Sequence, residues 1–298
     1  MAATTSISIA YPNPKTANQL LLLLLPIICS VCVASCRING STQSSLPTNE
    51  NASSDKSKID PGDYGDLKLS YKPRKNGSTV HTVGSDQQAL SQVIANLNDK
   101  IALPRDIVVS FEDCDSPDAF YDTDSRQLTM CYQLIDEYYD LFGRKLKDKT
   151  KLDNAVRGAV ASAFFHELGH GLVDVWKLPI TGKEEDAVDQ LSTLILMNDT
   201  ANGEQMALDG AFCFKLYADL DRGQKKTFWD EHSLDEQRFY DSICLIYGRD
   251  PDKYAYLVKD HMLPEERAEL CREVYPKIAS SWYQLLRPYI KHNSSRIF

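Results

Sequence analysis

The chain has 298 residues, 43% of them hydrophobic and 25% charged, with 33 Lys+Arg against 42 Asp+Glu and a formal net charge of −9. That length supports one large or two small domains with a real core. The composition excludes a collagenous, disulfide-dense or wholly low-complexity chain, and the acidic balance argues against nucleic acid as a partner.

Residues 20–34 read LLLLLLPIICSVCVA. The run is short and interrupted by a proline, which suits the apolar core of an export signal better than a spanning helix. It ends Val33-Ala34-Ser35-Cys36, which resembles a bacterial lipobox and marks Cys36 for lipidation. Ordinary signal cleavage before Cys36, giving a secreted protein, and an uncleaved signal anchor are the alternatives, and in every case the rest of the chain is exported. The following stretch is rich in Ser, Asn, Asp, Thr and Pro and cannot bury enough surface to fold. The expected plan is a signal peptide at 1–35, a lipidated Cys36 with a flexible linker to 75, and one folded domain at 76–298. The domain divides into a sheet with metal-binding helices at 76–200 and a helical half at 201–298.

Ser85-Asp86 caps a predicted helix through about Asn98, with Leu90, Val93, Ile94 and Leu97 on one face. Residues 106–111 form a short buried strand, and 119–131 read as a hairpin turning at Asp122–Ser125. Helices are predicted from Tyr132 to about Leu146, from about Lys151 to Trp176, and from Glu184 to Met197. Helix upon helix follows to the end, punctuated by Gly223, Gly248, Pro251, Pro264 and Pro276. A helix, a few strands and then many helices define an α+β fold.

Residues 166–170 are His-Glu-Leu-Gly-His. At about 100° per residue, His166 and His170 share a helix face and can bind one Zn²⁺. Glu167 lies beside them, where it can reach a water on the metal without ligating it. Gly169 leaves room for another element. The next helix offers the third ligand. Thr181 and Glu184 have capping-box spacing, which gives Glu184 a structural role, while Glu185 is free to ligate. Asp189, four residues on, can fix the tautomer of a ligating imidazole, and Asp174 is a rival for that role.

HELGH followed by Glu185-x-x-x-Asp189 resembles the gluzincin clan of thermolysin-like zinc peptidases. More closely, HELGHGLVDVWKLPITGKEEDAVDQ resembles a bacterial family of zinc metallopeptidases, inferred from that motif and otherwise known as a domain of unknown function. The likeness extends to Ala119–Tyr121, Met130–Tyr132, Glu231–Arg238, Cys244 and Cys271. It implies a compact zincin-like fold with a small sheet, an edge strand above the HExxH helix and a helical C-terminal half. It also implies peptide or protein substrates and one Zn²⁺. His232 or Tyr240 would serve at the oxyanion, giving Glu167 and His232 as catalytic residues. Gln127–Cys131 is the expected edge for pairing with an extended peptide.

Cys114 and Cys131 flank the hairpin, and Cys244 and Cys271 sit on two predicted helices, so each pair can form a disulfide in an oxidising compartment. The expected protein is an exported, lipid-anchored zinc metallopeptidase of the cell envelope. The rivals are a zinc-binding envelope lipoprotein that acts as a scaffold without turnover, and an interaction module with no metal.

Overall fold

The computed structural model describes residues 62–74, 83–199 and 202–291. The segment expected to be an export signal and Cys36 lie outside the described residues, and no described helix is long and apolar enough to cross a membrane.

Four short strands make one mixed sheet: β1 (Leu67–Tyr71), β2 (Ile107–Glu112), β3 (Ala119–Asp122) and β4 (Gln127–Cys131). Their order is β1-β2-β4-β3, with β2 parallel to both β1 and β4 and with β3 antiparallel to β4. Strand β2 reads IVVSFE and is buried on both faces, as an internal parallel strand requires. The hairpin turn works as its Asp and Ser residues suggest: Asp122 accepts hydrogen bonds from the Ser125 amide and hydroxyl, and Arg126 takes a positive φ of 55°.

Two expectations about the sheet are corrected. Strand β1 falls inside the span assigned to the linker, so the folded part begins before residue 75. The edge strand of the hairpin is β3. Strand β4 lies between β2 and β3 with four of its five residues buried, so it has no free edge to offer a peptide. The half-exposed alternation of β3 is that of an edge.

The helices are α1 (Val83–Lys100), α2 (Tyr132–Gly143), α3 (Lys149–Trp176), α4 (Glu184–Asp199), α5 (Gly203–Leu220), α6 (Asp235–Arg249), α7 (Ala255–Lys259) and α8 (Glu265–Leu286). The fold class is α+β with a helical C-terminal half. Helix α3 begins at Asp148, whose side chain accepts from the Lys151 amide, and ends on Lys177 in the left-handed conformation. Pro276 lies inside α8 and does not end it. One continuous apolar core joins the sheet to α8. Trp176 locks the end of α3 into it by donating to the Ala102 carbonyl at 3.0 Å and stacking on Tyr289 at 4.4 Å.

The two expected disulfides are present. Cys114–Cys131 ties the segment after β2 to the end of β4, and Cys244–Cys271 staples α6 to α8. Beside the second, Gly248 lets the helices approach: a Cβ there would sit 2.2 Å from the Cys271 carbonyl oxygen. Cys213 is free and buried, and burial pushes its thiol pKa up. These disulfides fit a protein exported to an oxidising compartment.

Asp209 on α5 is a buried carboxyl with one neutral partner, Gln205, which donates to it at 2.9 Å. Burial raises its pKa from 3.8 to about 7. Over that interval the folded chain holds a proton that the unfolded chain has released, so this group makes stability fall as pH rises. Asp209→Asn keeps the acceptor and removes the charge. It is expected to add ~2–4 kcal/mol at pH 8 and little at pH 4, read from urea melts with the disulfides intact. An equal gain at both pH values would refute the assignment.

Candidate metal centre

The site forms where α3 and α4 cross, and glycine sets how closely they do so. A Cβ on Gly169 would lie 2.8 Å from the Cβ of Val188, so only glycine lets α4 come this near. On another side of the same motif, a Cβ on Gly171 would lie 3.2 Å from the Tyr121 ring of β3. The HELGHG segment is thus fitted against α4 and against the edge strand.

The close approach brings Glu185 opposite both histidines. His166 Nε2 lies 3.1 Å from Glu185 Oε2, His170 Nε2 lies 3.4 Å from Glu185 Oε1, and the two Nε2 atoms are 3.3 Å apart. The other ring nitrogens have carboxylate partners. His166 Nδ1 is 2.7 Å from Asp189 Oδ1, and His170 Nδ1 is 2.8 Å from Glu184 Oε1. A carboxylate accepts, so each Nδ1 carries a proton, and each ring in its neutral form turns its Nε2 lone pair inward. This is the arrangement by which outer carboxylates fix metal-binding imidazoles.

Asp189 therefore sits where the tautomer-fixing role requires, and Asp174 does not. Asp174 accepts from the Tyr121 hydroxyl at 2.9 Å and from Lys177 at 2.7 Å, at the far end of α3. Glu184 differs from expectation as well. Helix α4 starts at Glu184 itself, so Thr181 lies too early to form the capping box, and the Glu184 carboxylate turns to His170.

Two residues arrive from the C-terminal half. His232, in the segment between α5 and α6, places Nε2 2.9 Å from Glu185 Oε2. Lys183, at the threshold of α4, holds that segment by donating to the carbonyls of Asp230 and His232. Arg238 on α6 donates from Nε and a terminal nitrogen to the two oxygens of Asp189 at 2.7 and 2.9 Å, and its guanidinium lies 4.0 Å over the Phe214 ring. The sequence suggested no role for Arg238, because a single arginine in a remote helix has no local pattern.

The electrostatics follow from this packing. Burial opposes the charge on Asp189, but Arg238 and His166 hold its pKa down at about 2. Burial likewise opposes charge on Glu185, whereas imidazoles that carry a second proton and donate to it hold its pKa far below the usual carboxylate range. Glu167 is different. It is 8% exposed and makes no hydrogen bond among the described residues, its nearest ionic neighbour being His166 Nε2 at 3.9 Å. Burial raises its pKa to about 6, against the pull of His166 and His170.

These donors suit a metal cation. Imidazole and carboxylate are the ligand types that zinc accepts. His166, Glu185 and His232 offer ligand atoms all within 4.8 Å of one another, and His170 Nε2 adjoins them. Glu185 Oε2 is buried and has no hydrogen-bond partner even though imidazole nitrogens lie at contact distance. Where those nitrogens are unprotonated, lone pairs face lone pairs in a buried place at a cost, and a cation between them resolves the conflict.

An α+β fold that presents paired helical imidazoles, an acidic residue from the next helix and an uncommitted glutamate between them defines a metallohydrolase-type centre. The chain belongs to the family described as "Putative metallopeptidase", whose model matches residues 71–286. No curated protein and no solved structure matches the chain.

Proposed function

We propose that the chain is an exported zinc peptidase of zincin type, with the metal held by His166, His170 and Glu185. The observation that carries this reading is the unpartnered, buried Glu185 Oε2 faced by imidazole nitrogens. Zinc bound there would supply a Lewis acid and a water acidic enough to attack at neutral pH.

The chain's own residues then divide the work. Glu167 accepts a proton from the attacking water and returns it to the leaving amine. Its burial and its lack of a hydrogen bond support this, because metal binding alone has no need of a carboxylate held in that state. The same point weighs against the scaffold reading. Asp189 and Glu184 keep His166 and His170 in one tautomer, and Arg238 keeps Asp189 charged. His232 is half exposed on its segment, so it can turn from Glu185 to donate to the carbonyl oxygen of a substrate. Strand β3, as the free edge beside α3, is the strand on which an extended peptide would pair. Cys36 would carry the lipid that places the domain at a membrane in the cell envelope.

The test is metal analysis and peptide hydrolysis on the same preparation, purified without chelator. The expected result is about one zinc per chain, with hydrolysis lost on chelation and restored by zinc. A chain that neither holds nor takes up zinc would end this reading, and one that holds zinc but cleaves no member of a broad peptide library would favour the scaffold.

A further inference from the structure

Glu167 has a side chain about nine-tenths buried, makes no hydrogen bond among the described residues and lines a cavity of about 200 Å³. The walls of that cavity are Leu134 and Tyr138 from α2 and Phe214 and Tyr217 from α5. His166 and Glu167 stand at one side, so whatever fills the cavity lies next to the proposed scissile bond.

The charges lining it do not balance. Of the basic side chains lining it, Arg238 is committed to both oxygens of Asp189, and His166 and His232 face Glu185. Two further carboxylates, Asp118 and Asp235, line the cavity, and neither forms a salt bridge among the described residues. Asp235 is partly buried in the first turn of α6, and Asp118 immediately precedes β3, the free edge. Apolar and aromatic walls with an exposed Asp118 and a partly buried Asp235, neither in a salt bridge, suit a side chain with a long apolar stem and a cationic tip.

We infer that this cavity is a side-chain subsite that selects lysine or arginine next to the cleaved bond, with Asp235 as the main specificity-determining residue and Asp118 assisting. A glutamate side chain would meet unpaired like charge there, and an aliphatic one would leave both carboxylates without a partner. The inference rests on the proposed peptidase reading for what binds, but its test does not require turnover.

The test uses the full chain carrying Glu167→Gln and loaded with zinc. Its affinity is measured by fluorescence anisotropy for matched labelled hexapeptides with Lys, Arg, norleucine or Glu at the central position. Basic peptides are expected to bind about tenfold more tightly than the norleucine peptide, and the Glu peptide more weakly still. Adding Asp235→Asn should bring the Lys-to-norleucine ratio close to one, and adding Asp118→Asn should lower it partway. A thermal melt on each variant shows that it is folded. Equal or tighter binding of norleucine, or an unchanged ratio in folded Asp235→Asn, overturns the assignment. Preference for basic peptides in this variant, with no cleavage of the same peptides by the zinc-loaded wild-type chain, would retain the subsite and reject the catalytic reading, so the two failures are distinct.

Discussion

Glu167→Gln is expected to lower kcat/KM for peptide hydrolysis by about 10²–10⁴-fold while leaving zinc content at the wild-type level. Glu167 has no salt-bridge or hydrogen-bond duty that glutamine would break: its closest ionic neighbour is at 3.9 Å, and it donates to and accepts from no described group. Glutamine has nearly the same shape, so the packing of α3 survives. The partners that orient His166 and His170 are Asp189 and Glu184, which the change does not touch. What disappears is a carboxylate whose pKa burial places at about 6, well suited to exchanging a proton near neutral pH. The decisive measurement is metal content and hydrolysis on one sample. Loss of both together would make Glu167 a structural or ligating residue, and loss of neither would remove it from the mechanism.

The helical framework was legible in the sequence because its signals are local. The helical runs of α3 and α4, the spacing of His166 and His170 and the displacement of Glu185 to Asp189 can all be read within one segment. Gly169 could be read as a point of close approach, and Val188 is the residue that approaches. The cysteine pairs were also within reach, since each joins neighbouring predicted elements.

What was not legible depends on distant partners. Strand β1 is five residues, LKLSY, behind a stretch of Gly and Asp, and only its parallel pairing with β2 makes it a strand. The choice between β3 and β4 as the edge depends on which of them meets β2, and periodicity does not report that. Glu184 was assigned to a cap because Thr181 stands three residues before it; the helix starts later than the spacing suggests, and the carboxylate then faces His170. His232 and Arg238 come from the far half of the chain. His232 was expected at the oxyanion, and what the structure shows is its contact with Glu185 in the ligand cluster.

The carboxylates around the centre should separate by function when each is removed. Glu185→Ala deletes the group on which His166, His170 and His232 converge, and it is expected to weaken zinc binding by more than about a hundredfold, beyond the roughly 10–100-fold typical of outer partners. Glu184→Ala and Asp189→Asn should each fall within that 10–100-fold range, because the first removes the acceptor that fixes His170 and the second leaves His166 only a neutral amide acceptor in place of a carboxylate. Their stabilities should differ. The Glu184 side chain is 46% exposed, so its loss leaves the fold almost unchanged. The Asp189 side chain is 12% exposed and neutralises a buried Arg238, so Asp189→Asn leaves that guanidinium without its counter-ion and is expected to cost ~3–5 kcal/mol. Zinc affinity by competition with a chelator, together with urea melts of the metal-free protein, distinguishes the three. The order of metal loss tests which carboxylate ligates. Asp189→Asn at wild-type stability would mean that Arg238 does not depend on Asp189 for its charge balance, and the ion pair linking α4 to α6 would then have no part in holding the centre together.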